Sequence, residues 1–521
     1  MEERLRISSA TEGYRRRLKV KERRRMDILY TGSARIAQRP GVLFRRRAAN
    51  KSLALARPAP RPIEVSRTNS RGRHWFAFAG IYLFTLLMYS RPHEIMPEVF
   101  GWLPLPKIVA ISSILIYVAS KLCAGEALIV WTLELKMMTL LWALGLFLAP
   151  VAASPGDSFN VLFDPLIKIL IVFAMQIALV DTVSRYRAML GIMVFCQALY
   201  SLGAINTFLT GGYSEMSSFH ARISGWGLYL QNPNDIACVL ALMSPISVIC
   251  ALLHRGWKRW LFFACTGVTA VAILFTYSRS GFLALIASCG LLIWKASRGR
   301  RVKTLLPVAV LAAALFLAAP GKYMTRLSTI FNPDTDTTHS AQERREHMFR
   351  AAGLAIQRPI VGVGMGNFHI YAISEMRAHN AYLETAAELG VIGLIAFLVI
   401  IFAPLRSLRR IERETAADGL HPDPGKHIVS ACLQASFVAF IIYGFFGSVQ
   451  YDSYLYSLVA LAVAFRRIHA AQIRAADGAV NGAEEPESKT LTRRLARGTL
   501  WPSLEFRKRR LKGIKSGRWS A

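Results

Sequence analysis

The chain has 521 residues, of which 53% are hydrophobic and only 18% charged, and its mean hydropathy is +0.33. That composition excludes an ordinary soluble globular protein and requires an integral membrane protein. The formal net charge of +32 does not mark a nucleic-acid binder, because the excess lies in two tails and in short loops between apolar runs, a distribution that fits an anionic membrane face better than a DNA groove.

In chain order, residues 1–73 are rich in arginine, with clusters at Arg15 to Arg17, Arg23 to Arg25 and Arg45 to Arg47. They contain no apolar core of signal-peptide length and read as a basic, disordered cytoplasmic tail. From residue 74 onward, runs long enough to span a bilayer recur, at about 20 residues for a core of about 30 Å. They fall at 74–90, 106–122, 136–153, 162–180, 188–209, 234–253, 259–276, 281–296 and 303–319. After a polar interval they resume at 388–406, 428–447 and 451–468. The expected fold is an all-α polytopic membrane protein of about twelve transmembrane helices with one large helical loop. Its parts are the tail 1–73, the first nine helices over 74–319, the loop over 320–387, the last three helices over 388–468, and a second basic cytoplasmic tail over 469–521.

Orientation follows from lysine and arginine in the short loops. One set carries Arg185 and Arg187, then Arg255, Lys258 and Arg259, then Lys295, Arg298, Arg300, Arg301 and Lys303, then Arg406, Arg409, Arg410 and Arg413; the alternate set holds only Arg91, Lys107, Arg222 and Arg279. The dense set is expected to be cytoplasmic, which puts both tails inside and the loop 320–387 outside. The seven cysteines lie in or at the ends of apolar segments without a CxxC pair, which argues against a disulfide framework and a zinc site.

The polar interval around Ser340 to Gly393 carries the candidate chemistry. Ser340 with Glu343 forms a capping box, so a helix is expected from there to about Gln357, ahead of Pro359. Arg345, Met348, Phe349, Ala352, Ala355 and Ile356 recur at three-and-four spacing. That phasing turns Arg345 inward with the apolar stripe and Arg344 toward solvent. RPIVGVGMGNF, from Arg358 to Phe368, does not complete a phosphate-binding loop: no GK[ST] follows, and His369 stands at the third position of GxGxxG. It reads as a tight backbone turn. The later pair Gly425 and Lys426 fails as well, since His427 follows it.

His379 begins HNAYLETAAELG, at the start of a helix whose positive end favours the neutral, base-competent imidazole, while Glu384 and Glu388 pull the other way. Asn380 and Glu384, four apart on one face, suit a local side-chain bond or recognition of sugar hydroxyls. Arg279, in TYSRSGFLAL, and Arg222, in ARISGWGLYLQNPNDIA, sit at expected outer borders of the membrane. Each of these residues also has a structural reading: an ion pair for Arg345, snorkelling for Arg222 and Arg279, a satisfied structural histidine for His379. Together, however, the three arginines and the histidine fall on one side of the membrane, an arrangement suited to a diphosphate leaving group at the bilayer surface.

NPNDIA ahead of a span, SRSGFLAL at a span start, RxxMFxxA followed by RPIVGVGMGNF, and HNAYLETAAELGVIG together resemble the O-antigen ligase and O-antigen polymerase family of bacterial envelope glycan enzymes. The resemblance runs over roughly residues 75–468 and is densest over 220–395; Phe349 stands where the family often has tryptophan, and the basic tails have no counterpart in it. It implies a metal-independent and cofactor-independent glycosyltransferase of the inner membrane with a large periplasmic loop. Such an enzyme takes a glycan from an undecaprenyl diphosphate carrier to lipid A core, another glycan or a protein hydroxyl, as a ligase, or to the next repeat unit, as a polymerase. Carried over residue by residue, His379 would activate the acceptor hydroxyl, and Arg222, Arg279 and Arg345 would bind the departing diphosphate. The competing class is a transporter or flippase of lipid-linked glycans, which requires charges along a path at mid-membrane.

Overall fold

The structure is a computed structural model and describes residues 74–90, 92, 98, 104–210, 232–297, 340–372, 375–417 and 419–481. Among them every regular element is helical. The helices are α1 (Trp75–Ser90), α2 (Leu105–Cys123), α3 (Leu133–Leu148), α4 (Pro155–Val161), α5 (Ile167–Leu179), α6 (Val183–Leu209), α7 (Pro233–Leu253), α8 (Trp257–Phe275), α9 (Arg279–Ser297), α10 (Ser340–Gln357), α11 (Ala381–Glu414), α12 (Pro424–Gly444) and α13 (Ser453–Asn481). Eight stretches of helix are long and apolar enough to cross a membrane. The expected span at 303–319, the first basic tail, residues 482–521 of the second and Arg222 lie outside the described residues, whereas residues 469–481, expected in the second tail, continue α13. The seven cysteines are free thiols.

Composition around each helix decides its depth in the bundle. α7, PNDIACVLALMSPISVICALL, is apolar on every face, and 89% of its most apolar stretch is buried, against 17% for α2 and α8. A helix hydrophobic all round belongs in the middle, and α7 indeed packs against α6, α8, α9 and α12. Pro245 lies inside it and leaves the Ala241 carbonyl without its helical donor; the Ser244 hydroxyl donates to that oxygen at 3.1 Å, so the proline costs no unpaired carbonyl. A similar repair occurs between α4 and α5, which are joined through a wide π turn over Leu162–Leu166 that accommodates Pro165. Lys168, an interruption in the expected span, is exposed and pairs with Asp164 one turn away.

α11 organises the part of the molecule that carries the candidate site. It packs on α3, α10, α12 and α13, and its helical path breaks at Gly390, whose φ of 65° and ψ of −167° are not helical. The glycine-rich segment after α10 docks in that break. Val363 N donates to Ala387 O (2.9 Å), Gly364 N to Glu388 O (3.0 Å), and Val391 N to Pro359 O (2.7 Å). Gly362 and Gly390 face each other across it with φ of 66° and 65°. A Cβ on Gly362 would lie 2.4 Å from the Glu388 carbonyl oxygen, and one on Gly390 2.6 Å from those of Pro359 and Ile360. Close approach of two backbones is thus the reason for the glycines, in keeping with a turn and not a phosphate cradle. Asn367, fully buried, fastens the far end of the segment: its Oδ1 accepts from Ser154 N (2.5 Å), and its Nδ2 donates to Ser158 Oγ (2.9 Å) and Met365 O (3.0 Å).

Candidate active site

His379 stands in the short link between the glycine-rich segment and α11. Its backbone has φ of 52°, a left-handed conformation that costs a residue with a Cβ about 1 kcal/mol or more, and its N–H donates to Ser448 Oγ at 3.0 Å. The side chain is half-buried. Burial, then the nearby Arg344 guanidinium, hold its imidazole down at about 4; Glu384 opposes them, and His347 and Arg377 add to the depression. The ring is therefore neutral at physiological pH, as expected, but burial and Arg344 lead that effect.

Asn380 and Glu384 have structural work. Asn380 caps α11, its Oδ1 accepting from Tyr382 N (3.0 Å) and Leu383 N (2.9 Å) while its Nδ2 donates to Phe445 O (3.3 Å). Glu384 is 1% exposed and is the hub of the site. Its Oε1 accepts from Arg377 Nε (2.9 Å), Arg377 Nη2 (2.8 Å) and Gln450 Nε2 (2.8 Å), and its Oε2 from Ala378 N (3.0 Å) and the Ser448 hydroxyl. Neither residue bonds the other's side chain as expected; instead Glu384 ties residues 377 and 378 to the α12–α13 link and so sets where His379 stands. One turn on, Glu388 accepts from Tyr451 OH (2.8 Å) and Phe368 N (3.4 Å).

The phasing of α10 corrects one expectation. Arg345 is exposed and lies over the Phe349 ring at 5.5 Å, and Phe349 and Ile356 are exposed with it. The buried face carries Arg344, His347, Ala351 and Leu354. Arg344 is within electrostatic reach of His379, Asp235 and Tyr443. The stripe misled because the outer face of this helix is apolar too, so spacing alone did not say which apolar face turns inward.

Arg279 opens α9 and is half-buried. Ser278 caps that helix, its Oγ accepting from Gly281 N at 3.3 Å, after a tight turn with Tyr277 at φ of 51°. Gly281 sits directly on Ala237, where a Cβ would come within 2.4 Å of its methyl, so the Arg279 end of α9 and the Asp235 end of α7 share one level. Asn232 caps α7 by accepting from Asn234 N at 2.9 Å. Asp235 in turn is within reach of Arg344 and Arg377. The bundle therefore brings Arg279, Arg344, Arg377, Asp235, Glu384 and His379 to one end of the described helices. Of these, Arg344 was assigned to solvent from sequence, and Arg377 and Asp235 were not among the candidate site residues. A charge signal for Arg377 was present, since it precedes by two residues the same helix start that carries His379. For Ser448 and Gln450, uncharged residues of a short link, sequence carries no such signal.

Residues 261–398 match the family model described as O-antigen ligase. That stretch runs from α8 through α9, α10 and the glycine-rich segment into α11, and includes Arg279, Arg344, His379 and Glu384. No curated protein matches the chain. Over that stretch the chain is similar to the O-antigen ligase family, and its long apolar helices are those of a multi-pass membrane protein.

Proposed function

We propose that the protein is a membrane glycosyltransferase that moves a glycan from an undecaprenyl diphosphate carrier to an acceptor hydroxyl at the periplasmic face of the inner membrane, as a ligase. The observation that carries this reading is the imidazole of His379, held neutral beside Arg344 and at the same end of the bundle as Arg279. Neutral His379 accepts the proton of the acceptor hydroxyl as its oxygen attacks the anomeric carbon. The bond from that carbon to the diphosphate oxygen breaks, and the electron pair leaves with the diphosphate. Arg279, Arg222 and, in place of outward-facing Arg345, Arg344 offset the charge that grows on the leaving group. Because the leaving group is already a good one and the carrier brings it to the membrane, the chemistry calls on neither metal nor nucleotide. Glu384 acts as a positioning residue, holding the link that carries His379.

The test is transfer by the purified protein, using lipid-linked glycan extracted from a deletion strain. His379→Ala is expected to lose 10²-fold or more in kcat while still binding the carrier-linked donor. Normal transfer by that variant would remove His379 from the mechanism. A polymerase would use the same residues on a different acceptor, and the deletion strain separates the two: full-length polymer stranded on the carrier marks a ligase, single repeat units mark a polymerase.

A further inference from the structure

Three buried polar atoms at the end of the bundle that carries His379 have no hydrogen-bond partner among the described residues: His347 Nδ1, Tyr443 OH and Gln450 Oε1. Their residues are 4%, 1% and 1% exposed. A buried polar atom left without a partner is costly, so three of them at this end of the bundle call for something that supplies partners. Each is tied to the site. His347 lies on the buried face of α10, one turn before Ala351, which packs in a small core with Phe368, Ala378 and Ala387; Ala378 is the residue before His379. Tyr443 is within reach of Arg344 and Asp235. Gln450 gives its Nε2 to Glu384 and keeps its Oε1 unused.

The chemistry of these atoms selects the ligand. Gln450 Oε1 only accepts, the tyrosine hydroxyl both donates and accepts, and an imidazole nitrogen does either according to tautomer. An ionised phosphate offers acceptors alone and leaves Gln450 Oε1 unsatisfied. Sugar hydroxyls donate and accept, and so match all three. We propose that His347, Tyr443 and Gln450 form a saccharide-hydroxyl subsite beside His379 that holds the acceptor sugar, with His347 Nδ1 and the Tyr443 hydroxyl in direct contact with it. The assignment to the acceptor rests on the transferase reading above: the hydroxyl that gives its proton to His379 belongs to the acceptor, and His347 is the neighbouring imidazole on that side, whereas the diphosphate belongs with the arginines.

The experiment measures donor and acceptor KM separately, with the full-length protein in nanodiscs, lipid-linked glycan from a deletion strain as donor, and the glycolipid fraction of a strain that makes no donor as acceptor. His347→Ala is expected to raise acceptor KM roughly tenfold, the loss of one hydrogen bond, with donor KM within about twofold; His347→Asn, which restores a polar atom near the Nδ1 position, recovers most of it. Tyr443→Phe removes only an oxygen that has no partner among the described residues, so the fold is kept, and it too is expected to raise acceptor KM several-fold. Acceptor KM within about twofold of wild type in both His347→Ala and Tyr443→Phe, while wild type turns over, overturns the subsite and leaves the transferase reading standing. Absence of transfer by wild type overturns both.

Discussion

At His379 effects of opposite sign meet: burial and the Arg344 guanidinium disfavour the imidazolium, and the Glu384 carboxylate favours it. Because the balance leaves the imidazole at about 4, below its ordinary value of about 6.5, the base is in its working form throughout the neutral range. The acid limb of the transfer rate is therefore expected near pH 4. In Arg344→Gln one of the groups opposing protonation is gone, so the limb moves up toward 6.5; a limb that stays put would show that Arg344 does not act on His379. The same shift has a stability sign. Between pH 6.5 and 4 the unfolded chain binds a proton at this residue that the folded one refuses, so the thermal midpoint falls as pH drops through that window. His379 itself was legible in sequence, since it stands at an expected helix start ahead of an apolar span. Arg344 was not, because the choice between neighbouring arginines depends on a 100° turn of helix that only packing orients.

α10 and the glycine-rich segment behind it form the element that carries the site. Phe349, Ile356, Ile360 and Val361 are exposed there, which a helix in water would avoid and one at a membrane border does not. This is why an amphipathic reading suited to soluble helices chose the wrong face. The segment's glycines are needed where φ is positive and two backbones touch. Gly390→Ala is expected to destabilise the detergent-solubilised protein by about 2 kcal/mol or more, since the new methyl meets the carbonyls of Pro359 and Ile360. Gly353→Ala, in the interior of α10 with nothing within 4 Å of the new atom, is expected instead to stabilise by up to about 1 kcal/mol. Thermal unfolding of the pair checks the distinction, and equal effects would mean that the docking of segment on helix break is not what the glycines serve.

For the whole molecule, the expectation from the basic loops is that one end of the bundle lies in the cytoplasm and the site at the other. A single cysteine introduced at exposed Glu375, in a background with the seven native cysteines replaced, is expected to react with a membrane-impermeant maleimide from the periplasmic side. One at exposed Arg409 is expected to be protected until the membrane is broken. The reverse pattern would invert the topology and the proposed compartment of the reaction. The arrangement of the candidate residues also speaks to the competing class. Arg279 and Asp235 stand at the starts of α9 and α7, and Arg377 and His379 just before α11, whereas a transport path calls for charges along the helices at mid-membrane.

Sequence by itself determined that this chain is a helical membrane protein, where most of its helices run, that α10 begins near Ser340 and ends before Pro359, and that His379 stands at a helix start beside candidate arginines. These are properties of composition, period and local capping, which act over a few residues. The structure decided what depends on contacts between distant residues: which face of α10 turns inward, that Glu384 and Asn380 hold the backbone, that Ser448 and Gln450 come to the same carboxylate from the α12–α13 link, and that His347 and Tyr443 keep polar atoms without a partner among the described residues at the end of the bundle that carries His379. Hydrogen-bond partners fixed by folding leave no periodic trace in sequence, and so the polar interval was recognisable as the site while its inner wiring was not.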